Sequence, residues 1–351
     1  MILGDKRRLS LAVFVLFLLS LLLFDYNSSN LEEVLIEGPA MGTSYKIVVK
    51  TNKDIDLDMI SSQVKLILDS INSQMSTYHL DSEISYFNLK NSESRLIDFE
   101  ISEHFFNVIQ KSIYYNNISG GMFDITVHPL YKLWGFQNKH SMNDEPSAIE
   151  VENALRFVGV DKIQIQDNCL SALYKGVSID VSAIAKGYTV DIISKYLQNQ
   201  GYFDHLVEIG GEIKVSSSSG NSWNIGIQEP DIGKIGVVNK TITLFNNSIA
   251  TSGSYSNFIE YLSSGSKRTH ILNPKTGYPI EIKDGIISSA TVISSSCAEA
   301  DALATALMLL NKENGLDMIE SIDNVEAYII YLENGKMQVA QSYGFEDYVY
   351  E

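Results

Sequence analysis

Asp180 and Lys186 flank a change of hydrophobic period in G-V-S-I-D-V-S-A-I-A-K-G-Y, residues 176–188. Val177, Ile179 and Val181 alternate with Ser178 and Asp180, the pattern of a half-buried strand. Beyond them Ala185, Tyr188, Ile192 and Tyr196 recur at helical spacing, with Asp191 and Lys195 on another face. Ser182 is a candidate cap for this helix, and Gly201 follows near its end. An acid thus leaves a strand and a lysine sits in the first turn of the next helix. The helix dipole opposes an ammonium there. An anion sharing the place removes the conflict, because free N–H groups and an ammonium together hold phosphate well. A surface corner with a solvated lysine is the alternative.

Asp301 and Thr305, four apart in C-A-E-A-D-A-L-A-T, share one face of an Ala- and Leu-rich helix. A carboxylate and a hydroxyl form a hard-oxygen pair suited to Mg²⁺; the bland alternative is Thr305 bonding back to the Asp301 carbonyl. His270 precedes the turn Asn273-Pro274-Lys275-Thr276-Gly277, at a strand end from which it can face a pocket and carry a proton. Gly120-Gly121 before Met122-Phe123-Asp124 permits close approach of a ligand to main chain. Gly210-Gly211 between Glu208 and Glu212 suggests a bulge in a strand, with acids that can simply face solvent. G-x-S-x-G, H-E-x-x-H, a P-loop and a strand-borne G-x-G-x-x-G are all missing, which disfavours serine hydrolases, zinc proteases, P-loop NTPases and Rossmann dehydrogenases.

Positioning these groups takes a mixed set of elements. A strand spans Thr43, Tyr45, Ile47 and Val49; a helix carries Ile60, Val64, Ile67, Leu68, Ile71 and Met75 on one face; a second helix covers about 102–116. Short strands fill the second half, around 163–174, 206–215, 224–227, 235–238, 241–244, 248–251 and 286–293. A helix follows over about 296–310, then a hairpin of 325–332 and 336–339 about Asn334-Gly335. This is an α+β pattern with antiparallel sheets and flanking helices.

The net charge of −17 makes nucleic acid a poor partner, and Cys169 and Cys297 make neither a disulfide framework nor a cysteine metal site. Lys6, Arg7 and Arg8 precede an apolar run over 9–24, which reads as a membrane anchor or signal with residues 1–8 in the cytoplasm and the remainder exported. Residues 25–34 are a linker, and the folded domain spans 35–351.

Taken together, M-G-T at 41–43, G-M-F-D-I-T at 121–126, D-V-S-A-I-A-K-G-Y at 180–188, E-I-G-G-E at 208–212, H-I-L-N-P-K-T-G at 270–277 and A-D-A-L-A-T-A at 300–306 resemble the ApbE family, the FAD:protein FMN transferases. The segments stand in family order from residue 41 to about 310. The resemblance implies a T-fold-like α+β core and Mg²⁺-dependent transfer of FMN from FAD to a Ser or Thr hydroxyl of a target protein, with release of AMP. It implies that Met41, Tyr78, the loop of Met122, Phe123 and Asp124, Asp180, Lys186 and Ile271 line the FAD site, with Tyr78 on or beside the isoalloxazine. It places Mg²⁺ on Asp301, Thr305 and the Ala183 carbonyl, and makes His270 the general base or proton carrier. Lys186 and the metal would neutralise charge on the phosphoryl oxygens. The acceptors it implies are subunits of a sodium-translocating NADH:quinone reductase or an Rnf-type complex, met on the periplasmic side of the inner membrane. Two departures stand out: no lipid-attachment cysteine follows the apolar run, and Met122 stands where the family often has Ala. Hydrolysis of FAD to FMN and AMP, and flavin binding without catalysis, are the alternative activities.

Overall fold

The computed structural model describes residues 31–350 apart from 137–141, 143, 219, 230–236, 255–257 and 282–283. The elements run β1 (Glu32–Ala40), β2 (Thr43–Thr51), α1 (Leu57–Met75), α2 (Glu83–Glu93), β3 (Phe99–Glu100), α3 (Glu103–Ile118), α4 (His128–Leu133), α5 (Ala148–Leu155), β4 (Ile163–Gln166), β5 (Cys169–Ala172) and α6 (Ser182–Asn199). They continue with β6 (His205–Ile209), β7 (Glu212–Ser216), β8 (Trp223–Gln228), β9 (Val238–Leu244), β10 (Ser248–Gly253), β11 (Phe258–Glu260), β12 (Lys267–Thr269), β13 (Ile287–Ser294), α7 (Cys297–Leu307), α8 (Lys312–Glu320), β14 (Glu326–Glu333) and β15 (Lys336–Gln341).

An eight-stranded antiparallel sheet in the order β1-β2-β6-β7-β10-β13-β14-β15 is the frame. Its faces are covered differently. The β8–β9 hairpin lays Trp223, Ile225, Ile242 and Leu244 against Val215, Ile249, Ile293 and Ile330 on one side. On the other, α7 and α8 bury Leu303, Leu307 and Ile319 against Ala290, Val292 and Ile329. All eight residues of β13 are therefore buried, the composition of a strand covered on both faces. Outside α6 and α7 lies a further layer, in which α1, α3 and the small sheet β3-β5-β4 contribute Ile71, Phe105, Val108, Ile109 and Leu170. Helix α6 is thus enclosed, with Ile184, Ala185, Tyr188, Val190, Ile193 and Leu197 all buried.

Three local readings are corrected. Residues 177–181 are extended but join no sheet. Their apolar side chains are buried as the alternation requires, but much of the main chain is satisfied by side chains: the Ile179 N–H donates to Asn88 Oδ1, and the Asn88 and Asn91 amides donate to the carbonyls of Ile179 and Val177, while the Asp180 N–H donates to the Ile125 carbonyl at 2.7 Å. Two asparagines of α2 thereby do what a neighbouring strand would do. Ser182 is the first residue of α6 and makes no cap; Asp180 Oδ1 accepts from the Ser182 N–H at 2.7 Å instead. Gly210-Gly211 is not a bulge within a strand but the two-residue turn of the β6–β7 hairpin, with φ of 62° and 106°, values that suit glycine. The elements with no forecast include α5 and α8, which offer few apolar positions to read: α5 buries only Val151, and α8 only Gly315 and Ile319.

The anchor or signal expected over 9–24 lies outside the described residues, as do residues 235 and 236 of the strand expected over 235–238. Among the described residues no helix is long and apolar enough to cross a membrane.

Candidate active site

Helices α6 and α7 approach so closely that a side chain at Gly187 is impossible without movement. A Cβ there would stand 2.3 Å from the Cys297 carbonyl oxygen and 2.9 Å from Asp301 Cβ. A turn further on, Asp191 of α6 accepts from Ser296 Oγ at 2.9 Å and from the N–H groups of Cys297 and Ala298, both at 3.1 Å, and so caps α7 from its neighbour. Lys214 Nζ holds the same carboxylate at 2.9 Å. This double fastening fixes Asp301, on α7, beside the first turn of α6.

Asp301 is buried, and its Oδ2 accepts the Gly187 N–H at 3.0 Å. A regular helix directs that N–H to the carbonyl of residue 183, so the carboxylate competes for it and the Ala183 oxygen keeps acceptor capacity. Thr305, one turn along α7, has Oγ1 3.3 Å from Ser252 Oγ on β10; this hydroxyl contact lies across the helix–sheet boundary rather than back along the helix. On the hairpin tip, Glu212 is buried and its Oε1 accepts from Lys186 Nζ. Burial disfavours the Lys186 charge, but the carboxylates of Asp301 and Glu212 more than offset this and raise its pKa. Burial raises the carboxyls of both Glu212 and Asp301; Asp301 adds to the effect on Glu212, and Lys186 opposes it at each. Glu212 Oε2 is buried with no hydrogen-bond partner.

These groups form one wall of a cavity of about 1380 Å³. Met41, Tyr78, Met122, Phe123, Asp124, Asp180, Ala183, Lys186, His270, Ile271, Asp301 and Thr305 all line it, with Gly210 and Glu212, whereas Gly120, Gly121, Glu208 and Gly211, also singled out in the sequence, do not. The lining residues differ in how they do so. Met41 occupies the β1–β2 turn with φ of 48°, a sparsely populated conformation for a non-glycine residue. Tyr78 is 57% exposed at the mouth. Behind it, burial raises the Tyr131 hydroxyl, with Tyr78 and Asp180 adding to the effect. Phe123 turns its ring into the core against Tyr115, at 6.3 Å between centroids. Asp124 ties its own loop together, accepting from the N–H groups of Thr126 at 2.8 Å and Val160 at 3.1 Å. Burial raises its carboxyl against those hydrogen bonds. Asp180 Oδ2 stands 3.4 Å from Thr77 Oγ1. His270 follows β12 immediately, and Ile271 beside it is buried, its carbonyl accepting from the Ile280 N–H at 3.0 Å.

Among the described residues no three His, Cys, Asp or Glu side chains converge as a metal-binding group. The donors here are of another kind, one carboxylate, one hydroxyl and one main-chain carbonyl, a hard-oxygen set that suits Mg²⁺ with water completing its shell. The fit rests on charge: two buried carboxylates face a single lysine, and one carboxylate oxygen has no donor. The sequence pattern leaves Glu212 free to face solvent and gives Gly187 and Asp191 no role in the site. An isolated glycine inside a strong helical pattern is the available signal for the close approach.

The ApbE family model matches residues 41–329. A Vibrio cholerae protein named FAD:protein FMN transferase is 35% identical over 328 residues, covering 93% of this chain and 96% of that protein. A protein of the same name from Haemophilus influenzae is 33% identical over 303 residues, covering 84% and 85%. Among solved structures, the flavin transferase ApbE of Vibrio cholerae superposes with a TM-score of 0.80 at 32% identity, over 91% of this chain and 100% of that one. The apo flavinyl transferase ApbE of Pseudomonas stutzeri gives 0.78 at 28% identity, over 91% and 97%.

Proposed function

The chain belongs to the ApbE family, and from that premise we propose that it is a FAD:protein FMN transferase that moves FMN from FAD to a Ser or Thr hydroxyl of an acceptor protein. The observation that carries the reading is a single cavity, above the usual size of small-molecule sites, that joins a charged wall of Lys186, Asp301 and Thr305 to a mouth bearing Tyr78. In the reaction the acceptor oxygen bonds to the FMN phosphorus, the pyrophosphate P–O bond breaks, and AMP leaves with its electron pair. His270 takes the hydroxyl proton, a role worth roughly 10²–10⁴ in rate. Lys186, held cationic by its carboxylate neighbours, neutralises charge building on the phosphoryl oxygens. Met41, Asp180, Ile271 and the Met122–Asp124 loop shape the pocket that orients FAD. Mg²⁺, held by Asp301, Thr305 and the Ala183 carbonyl, supplies further charge neutralisation when bound.

The acceptor is a subunit of a sodium-translocating NADH:quinone reductase or an Rnf-type complex, met outside the cytoplasm by a domain tethered through residues 9–24. The test incubates a candidate acceptor domain with the protein, FAD and Mg²⁺ and weighs the product. A mass gain matching FMN, abolished by EDTA, is expected. AMP release in the presence of an acceptor that another flavin transferase modifies, with no mass gain on it, would make the protein a FAD hydrolase. FAD bound without either product would make it a flavin carrier.

A further inference from the structure

Glu212 is an expensive residue to keep where it is. It is 4% exposed, it spends one oxygen on Lys186, and its second oxygen has no donor. A buried carboxylate with an unsatisfied oxygen lowers stability, so a role in holding the fold together does not account for it. Nor does Lys186 need it for burial, because Asp301 is close enough to act on the charges of both.

Two placements are open to the lysine. It can pair with Glu212, as it does, or with Asp301, whose main-chain partner Gly187 is the next residue in the chain. In the second placement the ammonium would occupy the carboxylate on which the proposed metal depends. We propose that Glu212 is a positioning residue that draws Lys186 away from Asp301 and so keeps the Asp301 carboxylate open to a divalent cation. The hairpin is built to hold it there. The Gly210-Gly211 turn starts β7 at Glu212, the Gly210 N–H donates to the Ser44 carbonyl at 3.2 Å, and a Cβ on Gly210 would meet Thr43 Cγ2 at 2.7 Å. The tip is thus packed on the first residues of β2, and Glu212 approaches the helix pair from a fixed direction. This inference rests on the metal assignment made above.

The test compares the wild type with Glu212→Gln, an isosteric change that leaves Lys186 a carboxylate partner in Asp301. Thermal unfolding of the metal-free proteins reads the structural role, and calorimetric titration with Mg²⁺ alone reads the functional one. The expected result is an unfolding temperature equal to or above wild type, with Mg²⁺ affinity lowered ~10–100-fold, the range for removing a group that orients a ligand. In Glu212→Gln/Lys186→Met the competitor is gone, and affinity should return toward wild type. A lowered unfolding temperature with unchanged Mg²⁺ affinity would make the pair structural and overturn the inference alone. A wild type that binds no Mg²⁺ would overturn the metal assignment, and this inference with it.

Discussion

Replacing Gly187 by alanine sets two effects against each other. Alanine is the better helix residue by about 1 kcal/mol, and on an exposed helix the change would stabilise. Here the new methyl would lie 2.3 Å from the Cys297 carbonyl oxygen, 2.7 Å from its carbon and 2.9 Å from Asp301 Cβ. Ordinary contact begins at about 3.5 Å, so α6 and α7 must part by about 1 Å, and main-chain atoms cannot swing aside as a side-chain tip can. Overpacking of this kind costs about 1–3 kcal/mol, which leaves a net loss of about 0–2 kcal/mol and a fall of a few degrees in Tm. The functional loss should be far larger. The displaced atoms include Asp301 itself, and a misplacement of about 1 Å costs on the order of 10²-fold in rate. Single-turnover transfer to an acceptor, followed by mass, measures the rate; circular dichroism melts measure stability. An alanine variant with wild-type Tm and wild-type transfer would refute the argument that the interhelical spacing sets the site.

Asp301→Asn keeps the size of the side chain and an acceptor for the Gly187 N–H, and removes one of two buried carboxylates. Metal-free stability should hold or rise while Mg²⁺-dependent transfer falls more than about 100-fold; retained activity at wild-type Mg²⁺ would sink the metal assignment. Asp191→Ala removes the carboxylate that accepts from the Cys297 and Ala298 N–H groups, leaving Ser296 as the cap of α7, and leaves Lys214 without its ion pair; a loss of about 2 kcal/mol, read as a lower urea midpoint, is expected. His205 is fully buried between Ser194 Oγ and the Tyr202 carbonyl, each at 2.8 Å, and burial depresses its imidazole from 6.5 to about 4. The unfolded chain therefore binds a proton that the folded one refuses. Stability falls as pH drops from about 6.5 toward 4, by at most about 3 kcal/mol. The urea midpoint should track that window in the wild type and flatten in His205→Gln; identical pH slopes would show that other groups dominate.

Long amphipathic elements were legible in the sequence because their pattern is redundant. Helix α1 repeats its apolar positions from Ile60 to Met75, and all of β13 is apolar or small. The segment 177–181 shows where such reading fails. Alternation reports burial, and burial there is as read, but it does not report what satisfies the main chain; Asn88 and Asn91 lie on a helix that the sequence pattern did not reveal. Asp301 drew notice for the opposite reason: a carboxylate is chemically unusual in a helix of Ala and Leu, whereas Met41, Tyr78, Ala183 and Ile271 were assigned only through the family resemblance. Glu212 escaped because a glutamate near glycines looks like any exposed turn until the fold buries it.

Lys186 joins these two levels. Lys186 is the fifth residue of α6, in its second turn, where the dipole's opposition to a cation has weakened; its partial burial still calls for an anion nearby. The anions present are the protein's own, Glu212 by direct contact and Asp301 through its field. An ammonium donates three hydrogen bonds, so pairing with Glu212 leaves donors for a phosphate oxygen. The wall sets one ammonium against two buried carboxyl groups, and when both are ionised that balance repels a bare pyrophosphate and favours one that arrives with a divalent cation. Metal and substrate should consequently bind with positive coupling: FAD affinity should rise with Mg²⁺, and by linkage Mg²⁺ affinity should rise with FAD to the same degree. Equal FAD affinity with and without Mg²⁺ would show that the carboxylates do not face the pyrophosphate.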